Sequence, residues 1–253
     1  MLTFHHVSFD YQGTTGTLID VSFSIPPGSC TLLVGHNGAG KSTIVQLSNG
    51  LLRPRSGEIR LRGYSIAELP VHEIVRDVAV MFQHPGDQLT ERTVEREVAV
   101  GVQALRLDRG FERVRAALDL VELSRSAHIH PYDLDPSDRK LVTLASVLAL
   151  RTPVVVLDEP FVGLGPTQVR TVERVMIQLR DEGRSVLLVA HDVTQAWGLV
   201  DRVVVLDRGT AIVEVNARDG VLTDGVLEAA GMTGSHARRF GRALGGESAE
   251  RKR

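Results

Sequence analysis

The residues best suited to chemistry in this sequence form one short stretch, 35–43, which reads GHNGAGKST. Its spacing is G-x-x-x-x-G-K-[S/T], the pattern of a phosphate-binding loop. The glycines let the backbone wrap a phosphate chain where a Cβ atom would collide, and the freed N–H groups point at the anion. Lys41 can reach the β- and γ-phosphates, and the Ser42 hydroxyl can hold Mg²⁺. The predicted nucleotide-binding residues of this loop are Gly35, His36, Asn37, Gly38, Ala39, Gly40, Lys41, Ser42 and Thr43.

Other polar residues follow apolar runs elsewhere in the chain. One run ends in Asp158 and Glu159, a second ends just before His191, and a third ends at Gln83. Each of these alone has an ordinary structural explanation, such as a solvated strand end. Because ligands of open α/β sheets bind at the carboxyl ends of the strands, we expect these side chains to converge with the phosphate loop at one sheet edge.

The elements that must position these residues are predicted from apolar periodicity. Alternating patterns at 2–9 and 18–25, joined by tight turns, are typical of an antiparallel edge sheet. Continuous apolar runs before the polar residues above indicate buried strands. Apolar residues at helical spacing predict three consecutive helices, over 93–105, 111–123 and 137–150. The chain is therefore expected to have an α/β fold, with an inserted helical lobe over residues 85–151.

The composition restricts the class of protein. The chain has 253 residues, 43% of them apolar and 24% charged, as in soluble globular proteins, and its net charge of -2 gives no field that attracts nucleic acid. No apolar run approaches the ~20 residues of a membrane span, and the N-terminus lacks the pattern of a secretory signal. We expect a cytoplasmic protein that touches a membrane only through a partner. The single cysteine, Cys30, is expected to be a small buried side chain.

Taken in order, these features resemble an ATP-binding-cassette (ABC) ATPase over at least residues 1–215. Within that superfamily the chain is most similar to the ATPase subunits of energy-coupling factor transporters, which drive vitamin and metal uptake. The family-specific stretches are GHNGAGKST, NGLLRP from Asn49 and FQHPGDQL from Phe82.

The resemblance implies the cassette form of the P-loop NTPase fold, with a mainly parallel core sheet, an antiparallel β edge subdomain and an inserted helical lobe. It predicts an ATPase domain over residues 1–230. The catalytic lobe would comprise residues 1–84 and 152–230, and the helical lobe would comprise residues 85–151. Residues 231–253 would form a flexible tail.

The resemblance also assigns roles to single residues, with ATP and Mg²⁺ as cofactors. Tyr11 would stack on the adenine; without the resemblance, an ordinary surface or core tyrosine is the favoured interpretation. Asp158 would hold Mg²⁺ through water, and Glu159 would orient or deprotonate the attacking water. His191 would contact the γ-phosphate. Gln83 would touch Mg²⁺ or the water and signal to the membrane partner.

One motif departs from the family pattern. Cassette ATPases work as dimers, in which each nucleotide is held between one phosphate loop and the other chain's signature, normally Leu-Ser-Gly-Gly-Gln. The aligned residues here are Leu134, Asp135, Pro136, Ser137 and Asp138. Asp135 brings a negative charge, and Pro136 has no N–H to give to a phosphate. An Asp followed by Pro is, however, a good start for its own helix. Gly165 also stands where the family usually has an Asp that acts across the dimer.

These departures suggest a non-identical cassette ATPase as the dimer partner, which gives one competent and one weak site. The resemblance further implies an integral-membrane coupling subunit, a substrate-binding membrane subunit and a peripheral location on the cytoplasmic face of the cell membrane. The coupling surface would lie near 83–89 and the helical lobe, where apolar residues such as Leu89 and Val94 either receive a partner helix or form the core of the lobe. Alternatives are the ATPase of an ordinary ABC importer, a soluble non-transport cassette and a non-hydrolysing regulatory cassette.

Overall fold

The computed structural model describes residues 2–83, 89–190 and 197–216. The strands of this part of the chain are β1 (Leu2–Phe9), β2 (Leu18–Ile25), β3 (Cys30–Val34), β4 (Ser56–Leu61), β5 (Tyr64–Ser65), β6 (Val78–Met81), β7 (Val154–Asp158), β8 (Ser185–Val189), β9 (Arg202–Asp207) and β10 (Thr210–Asn216). Its α-helices are α1 (Lys41–Ser48), α2 (Val71–Ile74), α3 (Val94–Ala104), α4 (Gly110–Leu120), α5 (Pro136–Ala149) and α6 (Pro166–Asp181).

The strands form two sheets. The larger has the order β10-β9-β3-β8-β7-β6, in which β6, β7, β8, β3 and β9 run parallel and β10 pairs antiparallel with β9. The smaller sheet, β2-β1-β4-β5, is antiparallel throughout. The predicted fold class, a mainly parallel core sheet with an antiparallel β edge sheet and helices, is confirmed.

The central strands are buried at every position because the large sheet is covered on both faces. In β3, Leu33 packs into one core together with β1 and α1, whereas Leu32 and Val34 pack into the other core with α5 and α6. Successive side chains of a strand point to opposite faces, so a run without polar residues is required for a strand of this kind. The helix α1 lies in the first core, between the two sheets.

Helices α3, α4 and α5 pack against one another in the segment predicted to be a helical lobe. Leu89 and Val94 are both buried in the core that these helices share with the large sheet. These two residues therefore belong to the core of the lobe and do not form a surface that could receive a partner helix. Within the described ranges, no helix combines the length and apolarity that crossing a membrane requires.

Local details differ from the predicted boundaries. Helix α4 ends at Leu120, three residues before the predicted end at 123, because Glu122 adopts a left-handed φ of 64° that ends the helix. Strand β5 and helix α2 span 2 and 4 residues, too few for a periodic pattern to reveal them. The division into two lobes stays a prediction, and the tail 231–253 lies outside the described residues.

Candidate nucleotide-binding site

A cavity of about 600 Å³ opens at the carboxyl ends of strands β3, β6 and β7. Its lining residues are Tyr11, Thr17, Asn37, Gly38, Gly40, Lys41, Ser42, Thr43, Gln83, Asp158 and Glu159. They come from distant parts of the sequence, but the parallel strands end at the same edge of the sheet. The structure therefore brings together most of the residues predicted for a nucleotide site.

The phosphate loop connects β3 to α1. Gly38 and Gly40 have φ of 83° and 102°, a region that glycine adopts without strain, and Lys41 opens the helix. The Lys41 Nζ donates to the carbonyls of Gly35 and His36 at 2.7 and 3.1 Å. Burial lowers the pKa of Lys41, and the carboxylates of the acid pair at the end of β7 oppose that shift. The positively charged Nζ of Lys41 thus lies against the loop at the N-terminus of helix α1.

Three predicted loop residues do not line the cavity and instead shape the loop. A Cβ atom on Gly35 would lie 2.2 Å from the Leu206 carbonyl oxygen, so this position admits only glycine without a shift of the backbone. Ala39 is fully buried. The His36 Nε2 lies 3.0 Å from Oδ1 of Asp207, which ties the loop to the end of β9.

The acid pair lies at the end of β7. Asp158 and Glu159 are 4% and 5% exposed, and both line the cavity. Glu159 has φ of 51°, in the left-handed region that is costly for a non-glycine residue, and its N–H donates to the Val189 carbonyl at 2.9 Å. A non-glycine residue keeps this conformation only where contacts with the surrounding structure outweigh its conformational cost.

The oxygen donors of the cavity fit a hard divalent cation. The Ser42 hydroxyl, the Gln83 amide and the Asp158 carboxylate are of the kinds that Mg²⁺ accepts. Among the described residues, no cluster of three or more His, Cys, Asp or Glu side chains would hold a metal by itself. Mg²⁺ usually keeps several waters and binds through one or two carboxylates together with substrate phosphates, so this set of oxygen donors fits a nucleotide-bound ion.

Tyr11 lies at the side of the cavity, 41% exposed. Its hydroxyl is 3.3 Å from Oγ1 of Thr43, and its ring packs edge-on against Phe9 with centroids 4.9 Å apart. Thr17 also lines the cavity and was not predicted. The N–H groups of Gly16 and Thr17 both donate to Oδ1 of Asp10, at 2.6 and 3.4 Å.

His191 lies outside the described residues, so its predicted contact with the γ-phosphate stays a prediction. The strand before it, β8, lies between β3 and β7 in the sheet. The polar residues 84–88, which follow Gln83, are likewise outside the described residues.

The segment aligned with the family signature caps its own helix, as predicted. The Asp135 Oδ1 accepts a hydrogen bond from the N–H of Asp138 at 2.9 Å, and Pro136 is the first residue of α5. The Ser137 hydroxyl donates to the Gly163 carbonyl at 3.1 Å, and Oδ1 of Asp138 accepts from Gln168 at 3.2 Å. The polar side chains at this helix start are therefore engaged within the chain.

We expect Asp135→Ala to lower the free energy of unfolding by about 1 kcal/mol, because it removes the N-cap of α5. Asp135→Ser is the matched control, since a serine hydroxyl at this position caps the helix about as well. Chemical denaturation of both variants measures the effect. Equal loss in the two variants would show that the carboxylate acts through something other than the cap.

A phosphate loop between the buried parallel strand β3 and helix α1, facing an acid pair at the end of β7 two strands away in the same sheet, defines a P-loop nucleoside triphosphatase. Comparisons narrow this class. A sequence profile of the ABC transporter family matches residues 18–162. The energy-coupling factor transporter ATP-binding protein EcfA of Carboxydothermus hydrogenoformans is 36% identical over 211 residues, 83% of this chain and 78% of that protein.

Two further relatives point to the same family. EcfA1 of Staphylococcus aureus is 34% identical over 223 residues, 87% of this chain and 82% of its own. The solved structure of cbiO1 from Clostridium perfringens, described as part of the ABC transporter complex cbiONQ, superposes with a TM-score of 0.79 at 26% identity, over 96% of this chain and 98% of that one. The chain belongs to the ABC transporter family of ATPases, and the resemblance found in the sequence is confirmed.

Proposed function

We propose that this chain is the ATP-binding and ATP-hydrolysing subunit that powers substrate import through an energy-coupling factor type transporter. The observation that carries the proposal is the convergence of Lys41, Gln83 and Glu159 on one cavity at the sheet edge. The names of the relatives in Carboxydothermus and Staphylococcus support the transporter type.

The residues of the cavity have separate tasks in binding. The loop N–H groups and Lys41 bind the phosphates, and Lys41 exchanges its present carbonyl partners for phosphate oxygens. Tyr11 stacks its exposed ring on the adenine, an interaction worth ~1–3 kcal/mol per base in nucleic-acid systems. These contacts fix the triphosphate relative to the acid pair.

Hydrolysis needs positioning and charge neutralisation more than covalent chemistry. Glu159 orients the attacking water and accepts its proton, since its carboxylate lies at the cavity wall. Ser42, Gln83 and Asp158 would hold Mg²⁺, the last through water. When bound, the ion would neutralise negative charge on the phosphates. His191 is proposed as a further γ-phosphate contact.

The start of α5 supports an asymmetric dimer. In the family this segment acts on the nucleotide of the partner chain, yet here Asp135 caps its own helix and Ser137 bonds the Gly163 carbonyl. Pro136 removes a backbone donor, and a carboxylate near a γ-phosphate would repel it. The competent site then joins this chain's phosphate loop to the intact signature of a non-identical cassette, and the other site is weak.

The proposed partners are therefore a second cassette ATPase, an integral-membrane coupling subunit and a substrate-binding membrane subunit. The chain would lie peripherally on the cytoplasmic face of the cell membrane. Closure of the dimer on ATP would move the coupling subunit. Nucleic acid is not a proposed partner, because the net charge of -2 gives no basic excess.

Copurification tests this assembly. A tag on this chain, in its native host and at native expression level, should capture a second, different cassette chain and membrane proteins in fixed ratio. Capture of membrane proteins that do not include an integral-membrane coupling subunit would support an ordinary ABC importer instead. Capture of this chain alone as a homodimer, without membrane proteins, would contradict the proposal and favour a soluble cassette.

A further inference from the structure

A buried lysine outside the cavity contacts the backbone of the acid pair. Lys140, on α5, is 7% exposed and does not line the cavity. Its Nζ donates to the carbonyl oxygens of Glu159 at 2.5 Å and Val162 at 2.8 Å. These contacts join residues 19 and 22 positions apart, so Lys140 fastens helix α5 to the turn that follows β7.

The turn formed by residues 159–163 contains a strained residue that contacts from the rest of the chain must hold in place. Glu159 holds a left-handed φ of 51°, a conformation that costs a non-glycine residue roughly 1–2 kcal/mol. Its N–H is bound to β8 through Val189, and its carbonyl is bound by Lys140. The peptide groups on both sides of the Glu159 Cα atom are therefore fixed, and with them the direction in which the carboxylate leaves the backbone.

An ammonium suits this place better than other donors. It offers several N–H bonds from one atom on a flexible stem, so a single side chain can bind two carbonyl oxygens of one turn. Burial lowers the pKa of Lys140, and the carboxylates of Glu159 and Asp158 oppose that shift. A second hydrogen bond, from Ser137 to Gly163, holds the far end of the same turn to α5.

We propose that Lys140 is a positioning residue for ATP hydrolysis: by holding the 159–163 turn to helix α5, it aims the Glu159 carboxylate at the attacking water. The proposal rests on the proposed role of Glu159 in activating that water. Lys140 itself is not among the residues that line the cavity.

The experiment uses the purified transporter complex with Lys140→Met, which keeps the apolar stem and removes the ammonium. A misplacement of a reacting group by about 1 Å can cost on the order of 100-fold in rate, so kcat should fall 10- to 100-fold. The equilibrium affinity for ATP should stay unchanged, because Lys140 does not line the cavity. Lys140→Gln, whose shorter side chain keeps a polar donor, should show the same split if the methionine variant does not fold.

Arg184→Met is the matched control for a merely structural loss. Arg184 is 9% exposed and donates to the Thr152 carbonyl at 2.7 Å, so it too is a buried cation that holds a backbone oxygen, but before β7 begins. This variant should lose stability while the folded complex keeps its kcat. Equal kcat in the Lys140 and Arg184 variants would overturn the proposal.

A double variant separates positioning from an independent contribution. If Lys140 acts through Glu159, then Lys140→Met added to Glu159→Gln should cause no further fall in kcat, because effects of residues that act as a unit are not additive. A further 10-fold fall in the double variant would overturn the proposal. If Glu159→Gln alone leaves hydrolysis intact, the proposed role of Glu159 fails; if it blocks hydrolysis and Lys140→Met does not, only the role of Lys140 fails.

Discussion

Glu159→Gln is expected to lower ATP hydrolysis by the transporter complex roughly 100- to 10,000-fold, the usual contribution of a general base. Glutamine has nearly the same shape as glutamate, and Lys140 holds the backbone carbonyl rather than the side chain, so the turn should stay in place. ATP binding should persist, because Lys41 and the loop are unchanged. Steady-state phosphate release and equilibrium ATP binding, measured on the same preparation, separate the two quantities.

The same substitution in the partner cassette provides the control for the asymmetric dimer. In the proposed dimer, the partner's equivalent glutamate would serve the site completed by this chain, where Asp135 brings a carboxylate and Pro136 has no N–H to give to a γ-phosphate. We therefore expect the partner variant to keep most of the hydrolysis that the Glu159 variant loses. If both substitutions cost the same activity, the two sites are equivalent and the asymmetry is wrong.

Lys41→Ala is expected to weaken ATP binding by roughly 100-fold, because two hydrogen bonds from an ammonium to phosphate oxygens are lost at about 1.5 kcal/mol or more each. Lys41 already stands at the cavity wall with its Nζ 2.7 Å from the Gly35 carbonyl, so little reorganisation is needed to reach a phosphate. Isothermal titration with ATP, in the presence of Mg²⁺, measures the loss.

AMP provides the control ligand for this prediction. It lacks the β- and γ-phosphates that Lys41 would contact, so its affinity should change much less than that of ATP. The affinity ratio of ATP to AMP should therefore collapse in the Lys41 variant. A parallel loss for both nucleotides would instead mean that the substitution deforms the whole loop.

Much of the fold was predictable because its central strands are almost entirely apolar. The runs that became β3, β7 and β8 are buried on both faces, which leaves few polar residues in them and makes the strands easy to recognise. The end of α1 was less predictable: it stops at Ser48, although two further apolar residues follow at Leu51 and Leu52. Periodicity cannot tell a helix that ends from one whose next turn is replaced by a tight loop.

The candidate site was predictable in part. Lys41, Ser42, Asp158 and Glu159 were found because their neighbours in the sequence reveal a loop or a strand end, and the structure gathers them around one cavity. Thr17 was missed because a threonine in a turn carries no signal of its own. The roles assigned to the site residues remain predictions, including that of His191, which lies outside the described residues.

Local spacing along the chain is enough to specify the phosphate loop and the cap of α5. Both depend on contacts within a few residues, such as that between the Asp135 carboxylate and the Asp138 N–H. The burial of Leu89 and the hydrogen bond from Lys140 to the Glu159 carbonyl, by contrast, are visible only in the folded chain. Those contacts join elements far apart in the chain, and their geometry is set by how helices pack on the sheet, which no local pattern of residues specifies.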